Sequence, residues 1–234
     1  MSRRSGTIAA LAAAGALALP AGGMAATDEI RAIDEFTYGG GTGTGGSSVF
    51  RLDTGEIPTL FNDDPDDQHN VVSNGRGPDG ERLFENDLEN PGDSAPVPGT
   101  QYLTAGDYPF FCIIHSGMTG TLQVVPDANG AVKRPKIDLA IKSAKLSPVR
   151  RTGKLKVAVK AINESDDVAI EAKFGRKLLA KKKNIDVSAG QNKRLTLKLT
   201  RAGKRALKNK DKATIKLSGA VPYGKPDKTS RTLR

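Results

Sequence analysis

Residues 108–120, YPFFCIIHSGMTG, bring Cys112, His115 and Met118 together within seven positions, and these residue types are scarce in the rest of the chain. The 234 residues contain one Cys, two His and three Met; the second His is His69, in QHNVVS, and the other two Met lie at positions 1 and 24. A soft thiolate, two imidazoles and a weakly binding thioether suit copper in both Cu(I) and Cu(II), because the set lies between the preferences of the two states. Zinc fits less well: thioether sulfur is a poor zinc ligand, and structural zinc takes more Cys or His. Taken alone, Cys-x2-His describes a buried Cys beside a hydrogen-bonded His equally well. His69, followed by Asn-Val-Val, and Met118, placed just before a strand pattern, turn the balance towards copper.

These side chains need elements to carry them. A strand YPFFC ending at Cys112, followed by the tight turn IIHSGM, brings Cys112, His115 and Met118 to one pole of a sandwich, and TGTLQVV leaves as the next strand. His69 then closes the site from a different strand end. Asn70, beside it, offers a polar side chain that can hydrogen-bond to the ligand loop and hold it in place. VFRL, QHNVVS and TQYLTAG read as further short strands between Gly, Pro, Asp and Asn turns, so an antiparallel sandwich or barrel is expected. Ahead of them lie the short segment DEIRAIDEFTY and the flexible tract GGGTGTGGSS at 39–48. Residues 74–99 are too polar and too rich in Pro and Gly for a core element, and read as a long connection with room for one short turn of helix.

HNVV upstream and YPFFCIIHSGMTGTLQVV downstream resemble the plastocyanin and amicyanin branch of the cupredoxins, the blue copper proteins. The Cys-x2-His-x2-Met loop is similar to the short amicyanin form, and the resemblance covers about residues 49–125. It implies a Greek-key sandwich holding one copper ion, with His69, Cys112 and His115 equatorial, Met118 axial, and Asn70 tethering the Cys loop. The chain departs from the family at FNDDPDDQ, acidic and turn-like where the family carries an aromatic in an apolar run, and in the glycine tract. The resemblance also implies function. Four protein ligands with no open position exchange electrons and do little else, and the further histidines of multicopper oxidases are missing. A non-enzymatic carrier of single electrons between redox protein partners is expected, with extracytoplasmic copper storage or delivery as the alternative. In the family the electron passes through the second His, here His115, within an apolar surface that Ile113, Ile114 and Gly117 would line.

Residues 1–26 read as a secretory signal peptide: Arg3 and Arg4, an apolar run from Thr7 to Leu19, and small residues at Ala25 and Ala26. An exported protein of the periplasm, cell envelope or extracellular space is therefore expected, as a monomer. Charge then divides the remainder. Residues 27–127 carry 18 acidic and 4 basic side chains, whereas 128–234 carry 8 acidic and 30 basic ones. That asymmetry argues for two separately built units, 27–127 and 137–234, joined by a linker at 128–136. In the second unit KIDLAIK, KLKVAVKAI, RLTLKLT and KATIKLSGAV alternate apolar and polar residues, as half-buried antiparallel strands do. TRAGKRALKNK reads as a short helix capped by Thr200. An all-β chain follows: a cupredoxin sandwich, then a small basic immunoglobulin-like sandwich. Its Lys-rich faces serve solubility, or hold an anionic cell-wall polymer or membrane surface; nucleic acid is a poor partner for an exported protein. Asp63, Asp64, Asp66 and Asp67 read as a solvated turn, or as an acidic docking patch for a cationic partner.

Overall fold

Alternating burial along β8, Thr119–Val125, shows how the first core is built: Gly120, Leu122 and Val124 point inward while their neighbours face outward or are half-covered. The computed structural model describes residues 29–40 and 47–234. Within it, β3 (Ser47–Asp53), β5 (Val72–Ser73), β7 (Gly106–Phe111) and β8 form one sheet in the order β3-β8-β7-β5. The facing sheet has the order β2-β1-β4-β6, from β1 (Glu29–Asp34), β2 (Thr37–Gly39), β4 (Thr59–Asn62) and β6 (Ser94–Pro96). Two pairs, β1/β4 and β3/β8, are parallel and the rest antiparallel. Phe110 sits at the centre of this core, its ring centroid 5.0 Å from Tyr38, 5.9 Å from Phe50 and 6.5 Å from Phe84. The ring lies directly on Gly120, where an added Cβ would come within 2.4 Å of it.

Several elements differ from the sequence expectation. EIRAID and TYG form two strands, β1 and β2, and TLFN a third, β4. TQYLTAG is not a strand: Thr100–Tyr102 form one turn of 3-10 helix, because the Thr100 hydroxyl is engaged by the carbonyls of Glu56 and Val97 and the backbone turns there. Only Val72–Ser73 of QHNVVS joins the ladder. Residues 74–99 contain no helical turn; they hold β6 and isolated bridges such as His69 with Glu89 and Val72 with Glu85. The signal-peptide expectation at 1–26 lies outside the described residues.

The second core is drawn from residues 137–233 and is separate from the first, drawn from 30–124. A three-stranded sheet, β13-β10-β9, faces a four-stranded sheet, β12-β11-β14-β15. The strands are β9 (Lys136–Ile141), β10 (Lys154–Asn163), β11 (Ser165–Phe174), β12 (Lys177–Val187), β13 (Asn192–Lys198), β14 (Ala213–Ala220) and β15 (Asp227–Leu233). All pairs are antiparallel, the arrangement of an immunoglobulin-like sandwich. Two short helices close one end, α1 (Leu146–Thr152) and α2 (Arg201–Leu207). Thr200 caps α2, its Oγ1 accepting from Gly203 N at 2.8 Å. At the other end a seam joins the two cores. There Tyr223 N donates to Asp79 Oδ2 at 2.6 Å, Val132 N donates to Gln101 O at 2.9 Å, and Tyr102 packs against Tyr223 with Arg134 over its ring. Among the described residues no helix is long and apolar enough to cross a membrane.

Candidate metal centre

Strand β7 delivers Cys112 one residue past its end, and the chain must then reverse to begin β8 at Thr119. The reversal is a closed loop: Met118 N donates to His115 O at 3.2 Å, and Cys112 N donates to Met118 O at 3.1 Å. Gly117 makes the turn possible with a φ of 98°, a left-handed conformation that other residues rarely adopt. His115 is thereby lifted to the surface, half-buried, while Cys112 and Met118 are turned inward and buried.

His69 approaches from the segment before β5. Its backbone pairs with Glu89 in both directions, His69 N to Glu89 O at 3.1 Å and Glu89 N to His69 O at 2.9 Å, so residues 74–99 act as a buttress. The next residue reaches across to the ligand loop: Asn70 Oδ1 accepts from Ile113 N at 3.0 Å. Asn70 is fixed in turn, since Tyr38 Oη donates to its carbonyl and its Nδ2 donates to Asn86 O at 3.3 Å. Burial, and then the neighbouring Cys112 sulfur, push the Tyr38 hydroxyl well above the ordinary tyrosine range, which keeps it a neutral donor.

The donor atoms converge. His69, Cys112 and His115 each offer one ligand atom, and these lie within 4.8 Å of one another. His69 Nδ1 is 3.1 Å from His115 Nδ1, and Cys112 Sγ is 3.6 Å from His115 Nδ1. Met118 joins them through the backbone of the same loop. Two imidazole nitrogens and one thiol, two of the three residues buried, suit one copper ion, and a thioether is the weak fourth ligand such a set takes. The first unit is a two-sheet β-sandwich that gathers these donors at one pole.

One residue at this site has a role that the sequence reading missed. Asp64 is not on a solvated turn or docking patch; it is 4% exposed, against 0% for His69, and its Oδ2 lies 3.0 Å from His69 Nε2. An ionised carboxylate only accepts, so Nε2 carries the proton and Nδ1 is the nitrogen directed at the other donors. The other carboxylate oxygen, Oδ1, accepts from Asp66 N at 2.9 Å and Asp67 N at 3.3 Å. The Asp66 N–H first, and then His69, hold the Asp64 carboxyl below its ordinary range. The signal in sequence is an Asx-type turn, Asp64-Pro65 with two more Asp, five residues before a His. Of its neighbours, Asp63 pairs with Arg31 at 2.7 Å, whereas Asp66 and Asp67 are exposed. Ile113 and Ile114, flanking His115, are also exposed, at 58% and 49%.

No protein-family model matches this chain, and no curated protein matches it. Among solved structures, a purple cupredoxin from Nitrosopumilus maritimus is 22% identical over 42% of this chain and 98% of its own, with a TM-score of 0.31. A reduced amicyanin variant is 16% identical over 42% of this chain and 82% of its own, with a TM-score of 0.31. The ligand-binding region of serine-glutamate repeat protein A of Enterococcus faecium is 15% identical over 41% of this chain and 89% of its own, with a TM-score of 0.29.

Proposed function

We propose that this chain is an exported carrier of single electrons, with His69, Cys112 and His115 as the strong ligands of one copper ion and Met118 as the weak one. Copper held by this set supplies a one-electron couple. The convergence of the three donor atoms within 4.8 Å carries the reading. The protein itself braces that arrangement: Asn70 ties the ligand loop to the His69 segment, and Asp64 sets the His69 tautomer. A preset site changes little in shape between oxidation states, as rapid electron exchange requires.

The half-buried His115 ring, between the exposed Ile113 and Ile114, is the face we assign to a redox protein partner. An apolar collar around an exposed ligand lets a partner approach closely and expel water without pairing charges. We further propose that 27–127 and 137–234 are the two structural units, joined at 128–136.

Storage or delivery of copper would use the same ligands, so the test must separate retention from release. The copper-loaded protein is cycled electrochemically in the presence of a strong Cu(I) chelator. A reversible one-electron wave that persists with copper retained is the expected result. Loss of copper to the chelator on the first reduction would replace the carrier with a delivery protein.

A further inference from the structure

The helices α1 and α2 close the end of the second sandwich that lies away from the seam. Strand β9 starts beside the linker at Lys136 and runs towards α1, and β14 leaves the α2 side and ends at Ala220, near Tyr223. Lys154 pairs with Lys198 where β10 and β13 meet the helices, and Leu199 N donates to Gly153 O at 2.8 Å. The two helices are therefore neighbours, with a cleft of about 720 Å³ between them. Arg150, Arg151, Lys204, Arg205 and Lys208 line this cleft, and no carboxylate does.

Cations near helix C-termini ordinarily satisfy the terminal carbonyls. Arg150 does so, its Nη1 donating to Lys210 O at 2.7 Å and to Lys208 O at 3.3 Å, which stitches α1 to the end of α2. The Lys204 stem lies over Gly153, stitching the helices in the other direction. That role does not extend to Arg151, Arg205 and Lys208. Among the described residues these three make no ion pair, and all are exposed. Five like charges around one hollow repel one another and concentrate positive potential there, which an anion relieves.

We propose that this cleft is a binding site for a linear, phosphate-bearing polymer. Arginine forks on both walls match phosphate oxygens two at a time, and a chain with repeated phosphates meets several cations at once. A membrane surface fits less well: the cleft is concave, and none of the large exposed apolar side chains among the described residues lies on either helix. The acidic first unit is not the occupant, because its seam is at the opposite end of the sandwich. Attachment here leaves the copper loop free as well, since β8 runs from that loop towards the linker. This inference does not depend on the metal site, and its test uses no copper.

The full chain without residues 1–26 is titrated with inorganic polyphosphate of defined length at low ionic strength. The variant Arg151→Gln/Arg205→Gln/Lys208→Gln keeps the two stitching residues. Lys160→Gln/Lys183→Gln/Lys228→Gln removes the same charge from exposed strand positions. The expected result is affinity about tenfold or more weaker for the cleft variant, a change under about threefold for the strand variant, and unchanged thermal unfolding for both. Equal weakening of the two variants would reduce the binding to general charge and overturn the site. So would affinity for phosphatidylglycerol vesicles matching that for polyphosphate and lost in the same cleft variant, which would make the occupant a lipid surface.

Discussion

Asp64 shows how one side chain sets the chemistry of another. Its carboxylate is locked by two backbone N–H groups on one oxygen and by His69 Nε2 on the other, so the charge beside His69 is fixed in place. A fixed negative charge next to a ligand favours Cu(II) over Cu(I). Asp64→Asn keeps an acceptor but removes the charge, and voltammetry should find the reduction potential raised by on the order of 50 mV. A fall, or no change, would mean that Asp64 only positions the ring. The same carboxylate affects acid stability. Its folded value is depressed below the ordinary 3.8, so its contribution is complete above that pH and is lost as pH falls through the depressed value. In the copper-free protein, Asp64→Asn should flatten this acid limb of the unfolding curve. The convergence of His69, Cys112 and His115 was legible because their types are scarce in this chain. Asp64 was not, because its one signal, an Asx-type turn five residues before a His, is shared with a run of four Asp that reads equally well as a solvated turn.

At the scale of elements, legibility followed alternation. Every second residue is apolar along β9, β10 and β14, and in β13 from Leu195, and these strands appear where the pattern places them. The strands β11 and β12 carry register shifts around Ser165, Val168 and Ile170, with positive φ at Asp167 and Asn184, so their alternation breaks midway. Edge strand β15, DKTSRTL, is almost wholly polar. Helix α1 has no side-chain cap; a backbone carbonyl distant in sequence, Arg234 O, accepts from Leu146 N at 2.7 Å. Packing at Gly120 gives an element-scale prediction. Gly120→Ala would press a methyl group onto the Phe110 ring and should cost about 1–3 kcal/mol in urea unfolding of the copper-free protein. A cost near zero would show that the ring can move aside. Thr200→Ala, which removes the α2 cap, should cost about 1 kcal/mol.

The whole molecule is polarised. Its copper loop is at the end of the first sandwich remote from the linker, its basic cleft is at the far end of the second, and the seam lies between them. The seam depends on few contacts, chiefly Asp79 with Tyr223 N and the Tyr102–Tyr223 ring pair. Small, partly polar contacts of this kind hold two units in one orientation only while intact. Asp79→Ala/Tyr223→Ala should therefore leave both cores folded but let them tumble separately, read as shorter rotational correlation times by NMR relaxation. Unchanged tumbling would place the rigidity in residues 128–136 instead.

The most direct test of the copper assignment is the visible absorption spectrum after adding Cu(II) to the protein without residues 1–26, with Cys112→Ser as control. An intense blue band, from charge transfer between the Cys112 thiolate and Cu(II), is expected and should be absent from the control. Weak colour, or a band that survives loss of the thiol, would show that the four side chains do not hold copper together and would contradict the electron carrier.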